Sequence, residues 1–262
     1  MTLTIRRRSQ SKRTTFHRPR HGFTLVELLT VIAIIALLLG LLAPTLSRAT
    51  ELARRAACKS LFHQQLTAVT QYATNNEGKL LPGYRYASNP THTYHDEPWV
   101  LNTDTYESQR DYYLGGNDRA FACPNMNRLS FPRRHHQGGG ILIYLLGFNY
   151  NGNKPGLNAL TGSKFPVGRL DSAEAVTVPL FSDVNNWSVG FGRTLVAHTA
   201  RGGVGDIYGF GVDAFDAGSE GGNYGYADGH VIWRGLDTLD VFCAFAGPGI
   251  PEGWDLLPED VW

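Results

Sequence analysis

The chain has 262 residues, a formal charge of +1, and 18% charged against 42% hydrophobic residues, enough for one membrane helix and one sizeable folded domain. Seven basic residues (Arg6, Arg7, Arg8, Lys12, Arg13, Arg18 and Arg20) and no acid precede Gly22. The remainder holds 17 basic and 23 acidic residues, a charge of −6, which gives no support to a nucleic-acid partner.

The basic leader ends at Gly22-Phe23-Thr24-Leu25-Val26-Glu27. From Leu28 to Ser47 no charge follows, about the length that crosses a bilayer as a helix. A carboxylate in hydrocarbon costs roughly 2.5–3.5 kcal/mol at the bilayer centre and less at its edge, so Glu27 calls for a compensating partner. An ordinary secretory signal would place a small-residue cut site after the apolar run, and Leu41-Leu42-Ala43-Pro44 offers none. A plain signal anchor would explain the leader and the span but would not require Phe23 or Glu27. The excess of Lys/Arg before the span puts residues 1–22 in the cytoplasm and the rest outside it.

The order of glycine, aromatic residue, glutamate and apolar run resembles the class III signal of type IV prepilins and type II secretion pseudopilins. The resemblance implies a prepilin peptidase/methyltransferase that cuts between Gly22 and Phe23 and methylates the new terminus at Phe23. It implies assembly into a filament through the N-terminal helix, with Glu27 and Pro44 as assembly residues. Other pseudopilins would be its partners, in the inner membrane before assembly.

Four segments are expected: leader 1–22, transmembrane and assembly helix 23–47, amphipathic continuation 48–77, and an exported β-rich domain 78–262. Leu46, Ala49, Leu52, Ala53, Ala56, Leu61, Leu66, Val69, Tyr72 and Ala73 recur roughly every three or four residues, the pattern of a helix with one face on a core. Arg48, Glu51, Arg55, Lys59, Gln64 and Gln71 are assigned to its surface. The helix is predicted to run from about Phe23 to Asn75, to exit through Asn76-Glu77-Gly78, and to bend or loosen at Pro44, which lacks a donor.

The segment from Ala53 to Leu61, Gly78-Lys79-Leu80-Leu81-Pro82, Phe121-Ala122-Cys123-Pro124 and Tyr226-Ala227-Asp228-Gly229-His230-Val231 resemble a pseudopilin-like group abundant in planctomycetes and verrucomicrobia. That group carries a "DG" motif near its C-terminus, with a histidine ten residues before the aspartate. Here that position is Gly218, so no role of the histidine carries over.

Beyond Pro82, Ile141–Leu146, Val176–Phe181, Thr194–His198 and Ile207–Val212 read as short strands. Asp228-Gly229 reads as a two-residue type I′ hairpin turn. Segments 83–120, 133–140 and 147–168 read as ordered loops. The fold class is thus α+β and pilin-like, a long helix packed on an antiparallel sheet.

Three cysteines, Cys58, Cys123 and Cys243, allow three pairings. Cys58 on the helix and Cys123 in an exported domain make a Cys58–Cys123 disulfide the working expectation, with free buried thiols as the alternative. No CxxC or Cys/His spacing argues for structural zinc. His92 and His95 with Asp96, and His135-His136 beside two arginines, read as polar loops. Ser60, Ser182 and Ser188 lack a nucleophile elbow, Gly138-Gly139-Gly140 lacks a following helix, and no enzyme is expected. Asp183-Val184-Asn185-Asn186-Trp187 loosely resembles the acidic loop through which major secretion pseudopilins hold calcium. A calcium site would use Asp183, Asn185 and Asp228; an Asx turn and a hairpin residue are the simpler readings. No other cofactor is expected. Tyr84, Tyr86, Tyr94, Trp99, Tyr106, Tyr112 and Tyr113 keep open an alternative function, a membrane-anchored module that binds saccharide or protein.

Overall fold

The computed structural model describes residues 22–83, 100–137, 141–152, 168–190, 192–206, 211–247 and 250–258. Contacts divide the chain into two units, Met1–Pro44 and Thr45–Trp262. The class is α+β: a long helix, α1 (Leu25–Asn75), and antiparallel sheets, consistent with a pilin-like fold.

In the first unit every described residue is exposed, including Leu28, Ile32, Ile35, Leu38, Leu39 and Leu42. Leucine and isoleucine make good helix interiors, but nothing within the unit covers them. In the second unit α1 has a buried face. Glu51, Cys58, Phe62, Leu66, Val69 and Ala73 fall on it in steps of seven, four, four, three and four residues. This corrects the predicted phase: Leu46, Ala49, Leu52, Ala53 and Ala56 are exposed, and Glu51, assigned to the surface, is buried. Hydrophobicity misplaced the stripe because its first member is a carboxylate with a buried histidine partner. The helix ends as expected after Asn75. Glu77 and Gly78 take positive φ (58° and 78°), and the Gly78 N–H reaches back to the Ala73 carbonyl at 2.8 Å, which satisfies a terminal acceptor.

Past α1, the described residues include β1 (Val100–Asn102), α2 (Thr103–Ser108), α3 (Pro124–Asn127), β2 (Arg133–Gln137), β3 (Ile141–Leu145), β4 (Phe148–Tyr150) and β5 (Phe181–Asp183). They continue with β6 (Asn185–Ser188), β7 (Arg193–Thr199), β8 (Gly202–Asp206), β9 (Gly222–Gly225), β10 (Val231–Arg234), β11 (Leu239–Gly247) and β12 (Ile250–Pro258). The sheet orders are β1-β3-β2, β10-β9-β5-β4 and β11-β12-β6-β7-β8. Segment 133–140 is therefore not all loop: Arg133-Arg134-His135 sit on β2, an edge strand, where charge is tolerated and discourages further pairing. Residues 100–120, read as loop, hold a strand and short helices, and β4 lies in 147–168. Val176–Phe181 holds the last residue of a 3-10 turn (Ala173–Val176), an irregular stretch and the first residue of β5 rather than a strand of its own, while Thr194–His198 is the centre of β7. Ile207–Val212 falls mostly outside the described residues.

The Asp228-Gly229 hairpin forms, with Val231 opposite Gly225. Its turn is not type I′, because only Gly229 has positive φ (93°). The Gly229 N–H bonds the Tyr226 carbonyl at 2.9 Å and the Tyr226 N–H bonds that of His230 at 3.0 Å, which makes Ala227-Asp228-Gly229 a three-residue loop.

Phe62 joins α1 to the sheet. Its ring meets Phe148 edge-on at 5.7 Å and Phe181 at 6.1 Å, and all three rings are buried. Deleting such a ring removes its transfer energy and leaves a cavity. Phe62→Ala is expected to cost about 3–5 kcal/mol, read as a lowered urea midpoint with an unchanged slope.

Candidate functional site

Two places carry chemistry. The first is the head of α1. The Thr24 hydroxyl accepts from the Glu27 N–H at 3.2 Å, and Glu27 Oε2 accepts from the Thr24 N–H and hydroxyl, each at 2.8 Å. This is a reciprocal capping box, in which a carboxylate at the third helical position satisfies donors that the helix leaves open. The T-x-x-E spacing was legible in the sequence, so Thr24 joins the residues of interest. Phe23 stands just outside the cap and is exposed. α1 is the one helix among the described residues that is long and apolar enough to cross a membrane; its most apolar 18-residue window has a mean hydropathy of 2.8 and no buried residue. Pro44 lies within α1, and its missing N–H leaves the Gly40 carbonyl without the usual helical partner.

The second place is buried in the other unit. Cys58 comes from α1, Cys123 from the residue before α3, Asp183 from the end of β5 and His198 from β7. All four are fully buried, and one ligand-type atom from each lies within 4.8 Å of the others. Pro124 in the first turn of α3 suits a helix start and turns the chain just after Cys123. Gly147 lets this segment approach: a Cβ there would stand 2.4 Å from that of Ala122.

The Cys58 thiol donates to Asp183 Oδ1 at 2.8 Å. His198 Nε2 lies 3.1 Å from Asp183 Oδ2 and 3.4 Å from Cys123 Sγ. On its other side, His198 Nδ1 meets Glu51 Oε1 at 2.6 Å. Asn125 Nδ2 donates to Glu51, 3.0 Å from each oxygen, and Arg54 and Arg55 stand 3.7 Å from that carboxylate. Asn223 gives its N–H and Nδ2 to Asp183 Oδ2, each at 2.8 Å. Arg55 also lies over the Trp233 ring and pairs with Glu220.

These contacts set the charges of the site. Burial works against a charged His198, but the Asp183 carboxylate outweighs it, helped by Cys123 and Glu51, and lifts the ring to about 12. Burial likewise opposes ionisation of Asp183 and Glu51, and the imidazolium holds both below the usual carboxylate range. Burial pushes the Cys58 thiol well up, with hydrogen bonding to Cys123 and the Asp183 charge adding to it. Burial acts in the same sense on Cys123, yet hydrogen bonds with Cys58 and His198 bring that thiol down to about 7. The site is an imidazolium held between two carboxylates, beside a pair of unlike thiols.

The remaining expected residues fall as follows. Cys58 and Cys123 are together, and both are free thiols. Asp183, Asn185 and Asp228 do not share one setting. Asp183 binds His198 and Asn223, and buried Asn185 accepts from the Ser219 hydroxyl at 2.7 Å. Asp228 is exposed at the hairpin tip and accepts from the His230 ring at 2.5 Å. Ser182 is buried and accepts from Asn149 at 3.1 Å. Of the tyrosines, Tyr106 is buried and stacked on Tyr144 at 3.7 Å, Tyr113 packs edge-on to Tyr72, and Tyr112 is exposed. Tyr84, Tyr86, Tyr94, Trp99, His92, His95 and Asp96 lie outside the described residues. Glu51, Asn125 and His198 were missed by sequence reasoning, since they meet only through the fold.

No curated protein and no solved structure matches this chain. Residues 17–43 match the family described as the prokaryotic N-terminal methylation motif; the match ends well before the Asp228-Gly229 hairpin. The chain therefore carries a prepilin-type N-terminal methylation motif that leads into a long apolar helix.

Proposed function

We propose that this chain is a structural subunit of a type IV pilus-like or type II secretion filament, processed by a prepilin peptidase. The observation that carries this reading is the methylation motif over residues 17–43 at the head of a helix whose apolar residues are uncovered. In the membrane, lipid would cover those side chains; in a filament, the same helices of neighbouring subunits would. The basic leader supports a cytoplasmic N-terminus and an exported domain, and the inner membrane would hold the subunit before assembly. Subunits would pack through residues 23–47, and a cytoplasmic motor acting through membrane partners would extend and retract the filament. Its work would be mechanical rather than enzymatic.

Processing is tested by mass spectrometry of the mature terminus from the native host. The chain should begin at N-methylated Phe23, and Gly22→Leu should retain the leader. A native terminus near Pro44 would instead establish an ordinary secretory signal and sink the reading.

A further inference from the structure

We propose that Cys58, Cys123, Asp183 and His198 form a buried four-ligand site for a zinc-type divalent metal ion. The proposal is independent of the filament reading. Two thiols, an imidazole and a carboxylate converge from α1, the start of α3, β5 and β7, with one donor atom from each inside a 4.8 Å span. Two sulfurs and a nitrogen are the donors zinc takes in closed tetrahedral sites, whereas calcium and magnesium favour oxygen throughout.

The surroundings are those of a metal site as well. His198 turns Nε2 toward Asp183 and Cys123 and is held at Nδ1 by Glu51 at 2.6 Å. A carboxylate on the outer nitrogen fixes the tautomer and leaves the inner lone pair for a metal. Glu51 is fixed in turn by Asn125, and Asp183 by two donors of Asn223. Binding releases the two thiol protons and the Nε2 proton. The ion and its three anionic ligands then carry one negative charge, with Arg54 and Arg55 3.7 Å from the adjoining Glu51 carboxylate. All four positions are filled by protein, so the role is structural: the ion ties α1 to β5 and β7. Glu51 acts as a positioning residue.

The test uses the full chain, purified in detergent under reducing conditions, stripped of metal and titrated with cobalt(II). One cobalt per chain is expected, with the visible bands of a tetrahedral ion and sulfur-to-cobalt charge transfer, both bleached by zinc. Cys58→Ser and Cys123→Ser should each weaken the charge transfer. Glu51→Gln should keep the thiolate bands yet lower zinc affinity about 10–100-fold. Failure of the folded, reduced parent to give the cobalt spectrum would overturn the proposal whatever the variants do. So would zinc affinity unchanged in both cysteine variants, or native material in which peptide mapping finds Cys58 bridged to Cys123 throughout.

Discussion

Glu27→Leu is expected to abolish filament assembly while leaving the folded domain and membrane insertion intact. Two roles meet in this carboxylate. Within the chain it closes the capping box with Thr24, and losing such a cap costs about 0.5–2 kcal/mol. In the proposed filament it would face the cationic amine of a processed Phe23 on a neighbouring subunit. An amine stranded in an apolar interior costs roughly 3–5 kcal/mol, more than a hundredfold in subunit affinity. Glu27→Gln separates the roles, because glutamine also serves in a capping box but carries no charge. The glutamine variant should therefore fail in assembly almost as fully as the leucine variant, while Thr24→Val should assemble with only a modest loss. Quantifying sheared filaments against membrane-retained subunit checks all three. Assembly of Glu27→Leu at the parental level would refute the pairing role, and a glutamine variant that assembles normally would assign Glu27 to capping alone.

The second large effect is expected at Asp183. With a chelator present, Asp183→Asn leaves the buried His198 cation with Glu51 as its one close carboxylate among the described residues and weakens the contact with Cys58. Breaking a buried ion pair from one side costs about 3–5 kcal/mol, which lowers the melting midpoint of a domain this size by roughly 6–20 °C. Glu51→Gln should cost less, since Asp183 remains, and the double variant should lose less than the two single losses combined, because both carboxylates act on one ring. Zinc at a hundred times its dissociation constant should then add about 2.7 kcal/mol to the parent and far less to Asp183→Asn. Denaturation in detergent, with and without zinc, reads both. A shift under about 0.5 kcal/mol for Asp183→Asn would remove the ion triad from the account of stability.

What could be seen in the sequence was what is local in the chain. Gly22 to Ser47 is a linear signal, and the helical period beyond it needs no partner to be recognised. The exit through Asn76-Glu77-Gly78 was equally plain, because few residues other than glycine take positive φ at low cost. Phase was harder: a stripe that begins with Glu51 violates the rule that apolar residues face inward, and only His198, 147 residues away, explains it. The cluster was beyond reach for the same reason. Cys58 and Asp183 are 125 residues apart, and Cys123 and His198 are 75 apart, so no spacing motif marks them. Asp183 was singled out, but with nearby Asn185 and the distant hairpin residue Asp228, whereas its actual partners are Cys58, His198 and Asn223. Edge strand β2 was missed because its side chains carry the polarity of a loop.

The scattered origin of the four ligands has a consequence for how the molecule is made. At about 5–20 residues per second, Glu51 waits roughly 7–30 s for His198 to be synthesised, and Cys58 waits nearly as long. Cys123 appears well before either Asp183 or His198. For that interval the two thiols have each other within the nascent chain and lack the rest of their set. The fate of the sulfurs is thus a race: an oxidant that reaches them early would join them, and a chain that completes β7 first would shelter them. Delivery speed and the redox state of the compartment, rather than the final fold alone, would decide which form of the molecule accumulates.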